Sequence, residues 1–149
     1  MTIINLFPLS IYKSKIDLTN DDKNLMIDEI RSMKKNSKNF SYKDQYFSWT
    51  GDTQGYEFLH ESKNFKKLFE KIKIKITEYL NLLEVDSNFL NLFIQRSWAT
   101  ISEGKEIVSK HRHFQSHISF AYYLKKNKTD SNLVVFDEGY KNEIMPGIF

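Results

Sequence analysis

Between residues 64 and 83 the apolar positions recur with a helical period. Phe65, Leu68, Phe69, Ile72, Ile76, Tyr79, Leu80 and Leu83 follow the i, i+3, i+4, i+7 rule, while Lys66, Lys67, Lys73 and Glu78 fall mainly elsewhere. This spacing predicts a helix whose apolar stripe needs something to cover, most simply a sheet. Upstream, "DLTNDDKNLMIDEIRSMKKN" also reads as a helix. Thr19 or Asn20 can cap it, Asp21 and Asp22 suit its positive end, and Lys34 and Lys35 suit its negative end. The opening "INLFPLSIYKSKI" reads as a short strand with Pro8 early in it, a placement that fits a sheet edge. "SKNFSYKDQYFSWTGDTQGYEF" is polar and aromatic by turns, and Gly51 and Gly55 punctuate it as a loop. Beyond Asp86 the period changes. "NFLNLFIQRSWATI" is β-rich, Gly104 turns it into "EIVSKHRH", and "HISFAYYLKK" follows. A polar turn at "NKTDSN" then leads to "LVVFD".

Four consecutive strand candidates with short connections predict an antiparallel sheet. The expected class is α+β, as one domain over residues 1–149, mainly helical over 1–86 and strand-rich over 87–149. No internal repeat, low-complexity tract or Pro/Gly-rich linker divides the chain.

Composition narrows the partners. The 149 residues are 40% hydrophobic and 15% aromatic, from twelve Phe, eight Tyr and two Trp, which fits a folded globule rather than a disordered chain. Basic residues number 22 against 19 acidic ones, so the net charge is only +3. That balance gives little support to a nucleic-acid partner. Lys66, Lys67, Lys71, Lys73 and Lys75 look like a basic patch, but Glu70 and Glu78 interrupt them, and a solvated helix face is the simpler reading. The absence of cysteine excludes thiolate metal sites, leaving His, Asp or Glu as ligands. No apolar run approaches the ~18 residues that span a bilayer, and the N-terminal stretch lacks the plan of a signal peptide. A soluble cytoplasmic protein with no membrane partner is the expectation.

Three of the four histidines, His111, His113 and His117, lie within seven residues of "SKHRHFQSHISFAYYLKK". If residues 107–113 are extended, His111 and His113 project to the same side, about 7 Å apart along the chain. Two imidazoles so placed can converge on one ion, at nitrogen–metal distances of roughly 2.0–2.2 Å. Neutral imidazole suits Fe(II), Zn, Ni or Cu better than Mg or Ca. The alternative is a histidine-rich polar loop with no ligand, and spacing alone leaves both open. A third ligand could come from His117, Asp137 or Glu138, none of which the spacing selects. His60 stands alone and reads as a surface or helix-start residue.

The stretch "SWATISEGKEIVSKHRHFQSHISFAYYL" resembles a block of the 2-oxoglutarate- and Fe(II)-dependent oxygenases, in the group common in marine bacteria and their phages. Ser97-Trp98, Gly104, His111, His113, Ser116, Ser119 and Tyr122-Tyr123-Leu124 match the group's pattern in order. "WTGDTQGYEFL", with Asp52-Thr53-Gln54-Gly55, is similar to the segment before the long helix of the phage-type members. The resemblance covers roughly residues 45–137. It implies N-terminal helices packed on an antiparallel double-stranded β-helix, or jelly roll, of which this sequence would supply only the first strands. It also implies Fe(II) as cofactor and 2-oxoglutarate as co-substrate for hydroxylation of a peptide or small molecule. His111 would be the first metal ligand of the family motif. His113 would be the second, at a position where most relatives carry a carboxylate. Trp98 and Tyr123 could line the co-substrate pocket, although large aromatics on sheets more often fill a core. Gln54 and its loop could form a substrate lid or, more simply, cap the long helix.

The family places a distal histidine and a 2-oxoglutarate-binding basic residue on late strands, and no residue of this sequence can be assigned to either role. The expectation is that these residues alone do not turn over 2-oxoglutarate, whether as a fragment of a longer reading frame or as a naturally short protein. The alternatives are a non-catalytic jelly-roll binding or assembly protein, self-associating through apolar strand edges, and a zinc or nickel protein of the cupin kind.

Overall fold

A computed structural model describes residues 10–37, 46–113, 115–130 and 132–136. It divides into two compact units: Ser14–Leu124, and a second made of Met1–Lys13 with Lys125–Phe149. Both helices and a small antiparallel sheet lie in the first, so the chain is a mixed α+β protein. Among the described residues no helix is long and apolar enough to cross a membrane.

Helix α1 spans Asn20–Asn36. The Thr19 side chain accepts the Asp22 backbone N–H at 3.1 Å, satisfying one of the donors that a helix start leaves open. Helix α2 spans Lys66–Leu82 and is entered through two short 3-10 turns, Leu59–Glu61 and Lys63–Phe65. Its buried positions are Leu68, Phe69, Ile72 and Leu80, the heart of the stripe that the spacing predicts.

The stripe covers helix and loop more than sheet. Met26 of α1 is 1% exposed and joins Leu59, Phe65, Leu68, Phe69 and Ile72 in one buried cluster. Ile30 and Met33 of α1 pack on that cluster, as do Ile94, Ala99, Tyr122 and Leu124 from the second half. Each such side chain contributes roughly 1.5–3 kcal/mol when fully removed from water. Polar bonds fix the angle between the helices. The Lys67 ammonium meets the Asp22 carboxylate at 2.8 Å. Glu29 accepts from both Ser62 Oγ (2.9 Å) and Asn64 Nδ2 (2.7 Å) at the entry to α2.

The strand-rich half is paired differently from the expected series of hairpins. Strand β1 (Trp49–Thr50) pairs antiparallel with β2 (Thr100–Ile101), with Trp49 opposite Ile101 and Thr50 opposite Thr100. Isolated parallel bridges join Phe47 to Ile107 and Phe58 to Ser97. The partner of residues 97–107 is thus the 46–58 segment, which polar and aromatic alternation marks as a loop. Among the described residues, 102–113 and 118–124 form no regular ladder with each other. A β-rich sequence favours extended backbone, but a strand exists only where a neighbour supplies the hydrogen bonds. The first six residues of the N-terminal strand candidate lie outside the described residues, and residues 10–16 carry no strand. Gly104 turns the chain with φ +61°, a conformation that suits glycine.

In the second unit, residues 127–130 form a polar turn, within the segment where the sequence places one. Asp130 accepts from the Asn127 backbone N–H at 2.6 Å, and its own N–H returns to the Asn127 carbonyl at 3.2 Å.

Candidate metal centre

The segment carrying the histidines leaves the Phe47–Ile107 bridge and runs without regular structure to the turn where Ser116 N–H bonds to the His113 carbonyl. His111 and His113 nevertheless turn to the same side. Their Nε2 atoms stand 3.1 Å apart, and their ring centroids 5.0 Å.

The partners of the other ring nitrogens define the protonation pattern. His111 Nδ1 lies 2.8 Å from the Ser109 carbonyl, which can only accept, so His111 carries its proton on Nδ1. Its Nε2 is then a lone pair, and His113 Nε2–H donates to it. His113 Nδ1 in turn accepts from the Ser119 hydroxyl at 3.1 Å. A single chain of donors therefore runs from Ser119 through both imidazoles to Ser109.

This is also the outer arrangement that metal-bound histidines use, with one ring nitrogen oriented by an oxygen and the other free to coordinate. Two nitrogens each ~2.1 Å from one ion lie about 3.0 Å apart at a right angle and about 3.4 Å apart at the tetrahedral angle. The observed 3.1 Å falls between these values. His111 already holds the ligand tautomer. His113 reaches it by moving its proton from Nε2 to Nδ1, and the Ser119 hydroxyl, able to donate or accept, can accommodate that change. Both imidazoles are solvent-exposed. Partial desolvation lowers the His113 pKa below the usual imidazole value, His111 and the Arg96 guanidinium act in the same direction, and the Asp52 carboxylate opposes them.

Trp98, expected to line a co-substrate pocket, stands beside the pair. Its ring meets His113 edge-on at 5.3 Å, and the Arg96 guanidinium lies 5.6 Å from its centroid. Tyr123 is 51% exposed, and the tyrosine of this segment that packs on the core is Tyr122. Burial, followed by the Asp17 charge, raises the Tyr122 pKa above the ordinary phenol value. His117 is exposed, and Asp137 and Glu138 lie outside the described residues. Among the described residues no three His, Asp or Glu side chains group closely enough to hold a metal ion together.

His60 is half-buried in the 3-10 turn Leu59–Glu61 that leads into α2, the helix-start alternative of the sequence reading. Its Nδ1 lies 2.7 Å from Ser97 Oγ and its backbone N–H bonds to the same oxygen at 2.9 Å, while its ring packs edge-on against Phe69 at 5.9 Å. Ser97 is 7% exposed and holds the 57–60 segment by both backbone and side chain. Spacing could not reveal this pair, since 37 residues separate its members.

Arg96 and Asp52 enter the electrostatics of the site without having been singled out as site residues in the sequence. Neither belongs to the His-x-His pattern: Arg96 lies over the Trp98 ring, and Asp52 stands in the 3-10 turn Gly51–Gln54 that follows β1. Compared with protein-family models, curated proteins and solved structures, the chain matches none.

Proposed function

We propose that this chain belongs to the Fe(II)- and 2-oxoglutarate-dependent oxygenases, on a double-stranded β-helix plan, with His111 and His113 as two of the iron ligands. The observation that carries the reading is the imidazole pair: Nε2 atoms 3.1 Å apart, each ring oriented through Nδ1 by a separate oxygen. The ordered match of Ser97-Trp98, Gly104, His111, His113, Ser119 and Tyr122-Tyr123-Leu124 to the family block supports it.

In this reading His111 and His113 bind the ion, Ser109 and Ser119 set their tautomers, and Trp98 shields one side of His113 from water. Tyr123 and Trp98 line the side from which 2-oxoglutarate approaches. The bound iron supplies the oxidising chemistry, and the protein positions its ligands and limits solvent around them. A complete enzyme of this kind would hydroxylate a substrate peptide or small molecule at a C–H bond. These residues alone, with no assignable distal histidine or 2-oxoglutarate-binding basic residue, are expected not to turn over 2-oxoglutarate.

Anaerobic titration with Fe(II) or Co(II) tests the assignment. Uptake of one equivalent, lost in His111→Ala and in His113→Ala, is the expected result. Addition of 2-oxoglutarate should then change the metal spectrum. Metal uptake without that response would favour a zinc or nickel protein of the cupin kind. Uptake unaffected by either substitution would remove the reading.

A second reading, as a non-catalytic binding or assembly protein, draws on one observation. Phe89 and Phe93 are 86% and 80% exposed within a short apolar run, and apolar surface of this kind commonly meets another surface. Retention of fold and of self-association in the two histidine variants, with no metal uptake by the parent chain, would favour it.

A further inference from the structure

His60, Phe69, Lys73, Leu92, Phe93 and Ile94 line an open cleft of about 320 Å³. Phe69 and Lys73 stand one turn apart on α2 and so share a side of that helix. The His60 ring meets Phe69 edge-on at 5.9 Å, and Ile94 packs on the buried cluster to which Phe69 belongs. Four of the six walls are thus apolar, and the other two supply hydrogen-bond donors. Lys73 is exposed and takes part in none of the ion pairs among the described residues. His60 is oriented by Ser97. Ser97 Oγ accepts the His60 backbone N–H at 2.9 Å, so its own proton goes to His60 Nδ1 at 2.7 Å. A ring that accepts at Nδ1 carries its proton on Nε2, and among the described residues no group accepts that N–H. Neither His111, His113 nor Trp98 lines the cleft, so it is separate from the imidazole pair.

We propose that this cleft binds a small organic acid, an arylalkyl carboxylate whose charge meets Lys73 and the His60 Nε2–H while its ring lies on Phe69 and Phe93. The charge follows from the lining. No acidic side chain lines the cleft, so nothing in its walls neutralises the Lys73 ammonium, and both polar groups donate. A carboxylate accepts from two donors at once, and such charge-assisted bonds are the stronger kind. The apolar body follows from exposure. Phe93 is 80% exposed and Leu92 48%, and a ring laid across them takes apolar surface out of water. A bare phosphate would meet Lys73 and leave those walls wet. The size follows from the volume, which lies near the lower end of the roughly 300–1,000 Å³ common for ligand sites. Ser97 holds the His60 ring before any ligand arrives, so binding need not order that donor. The site needs no metal and stands apart from the oxygenase reading.

Titration of the full chain with phenylacetate, by calorimetry and by saturation-transfer NMR, tests this, with phenylacetamide as the uncharged comparison. The parent should bind phenylacetate about tenfold more tightly than phenylacetamide, the size expected when a hydrogen bond gains a charge. Lys73→Gln should remove that preference and leave phenylacetamide binding as it was. Phe93→Ala should weaken both ligands severalfold. Both replaced side chains are exposed, so each variant should keep the parent's circular dichroism. His111→Ala should bind phenylacetate as the parent does. Absence of phenylacetate binding in the parent, equal affinity for the two ligands, an unchanged preference in Lys73→Gln, or parent-like binding by Phe93→Ala would each overturn the proposal. Loss of phenylacetate binding in His111→Ala would overturn it as well, by moving the anion to the imidazole pair.

Discussion

Replacing Ser97 by alanine removes one oxygen that serves two partners 37 residues earlier in the chain. Ser97 Oγ accepts the His60 backbone N–H at 2.9 Å, so its own proton is free to go to His60 Nδ1 at 2.7 Å. The backbone bonds Leu59 N–H to Ser97 O (3.0 Å) and Ser97 N–H to Glu57 O (2.8 Å) survive the change. Two costs remain. Losing the hydroxyl–imidazole bond removes about 1 kcal/mol, and leaving the His60 N–H without an acceptor in a half-buried site costs about 1–2 kcal/mol more. The sum, about 2–3 kcal/mol, is a large part of a typical domain's margin of ~5–15 kcal/mol. In equilibrium urea unfolding with a slope of ~2 kcal/mol/M, the midpoint should fall by about 1 M or slightly more at unchanged slope. His60→Ala keeps its backbone N–H and loses only the ring bond and ring packing. In a double-mutant cycle the two substitutions should therefore couple by about 1 kcal/mol. A midpoint within about 0.25 M of the parent for Ser97→Ala, or additive effects in the cycle, would refute the view that this oxygen clamps the 57–60 segment to residue 97.

Three further outcomes are expected. Met26→Ala should destabilise the protein by about 2–5 kcal/mol in the same assay, because Met26 is 1% exposed at the contact between α1 and α2 and little can close the cavity. Ser119→Ala, which deprives His113 Nδ1 of its partner, should weaken Co(II) binding about tenfold with no loss of helix content by circular dichroism. Asp22 titrates below the usual carboxylate value, held there first by its bond to Lys67 and then by Thr19. A lowered carboxylate contributes stability that is present above the unfolded value of about 3.9 and is lost as pH falls through the lower native one. Acid unfolding followed below about pH 5 should thus begin at higher pH in Lys67→Met than in the parent, and identical acid profiles would count against the ion pair's role.

Both helices are legible in the sequence because their causes are local. The α1 cap at Thr19 needs only the N–H of Asp22, three residues on, and the α2 stripe needs only the 3.6-residue period that places Leu68, Phe69 and Ile72 on one side. The same locality made the His-x-His pair visible as a candidate: one intervening residue suffices to bring two imidazoles to the same side of a nearly extended chain. Pairing across the chain was not legible. Alternation marks 88–101 and 118–124 as able to extend but does not say to which neighbour they bond, and the partner found for 97–107 is the 46–58 segment, read from sequence as a loop. The surroundings of the site depend on that choice. The Gly51–Ala99 bond ties the turn after β1 to the residue next to Trp98, and the Ser97–His60 clamp anchors the residue just before Trp98. Local periodicity acts over a few residues and carries no information about which distant segment will supply a hydrogen-bond partner or a charge. That choice is made when the chain closes on itself, where burial and backbone pairing across tens of residues are settled together.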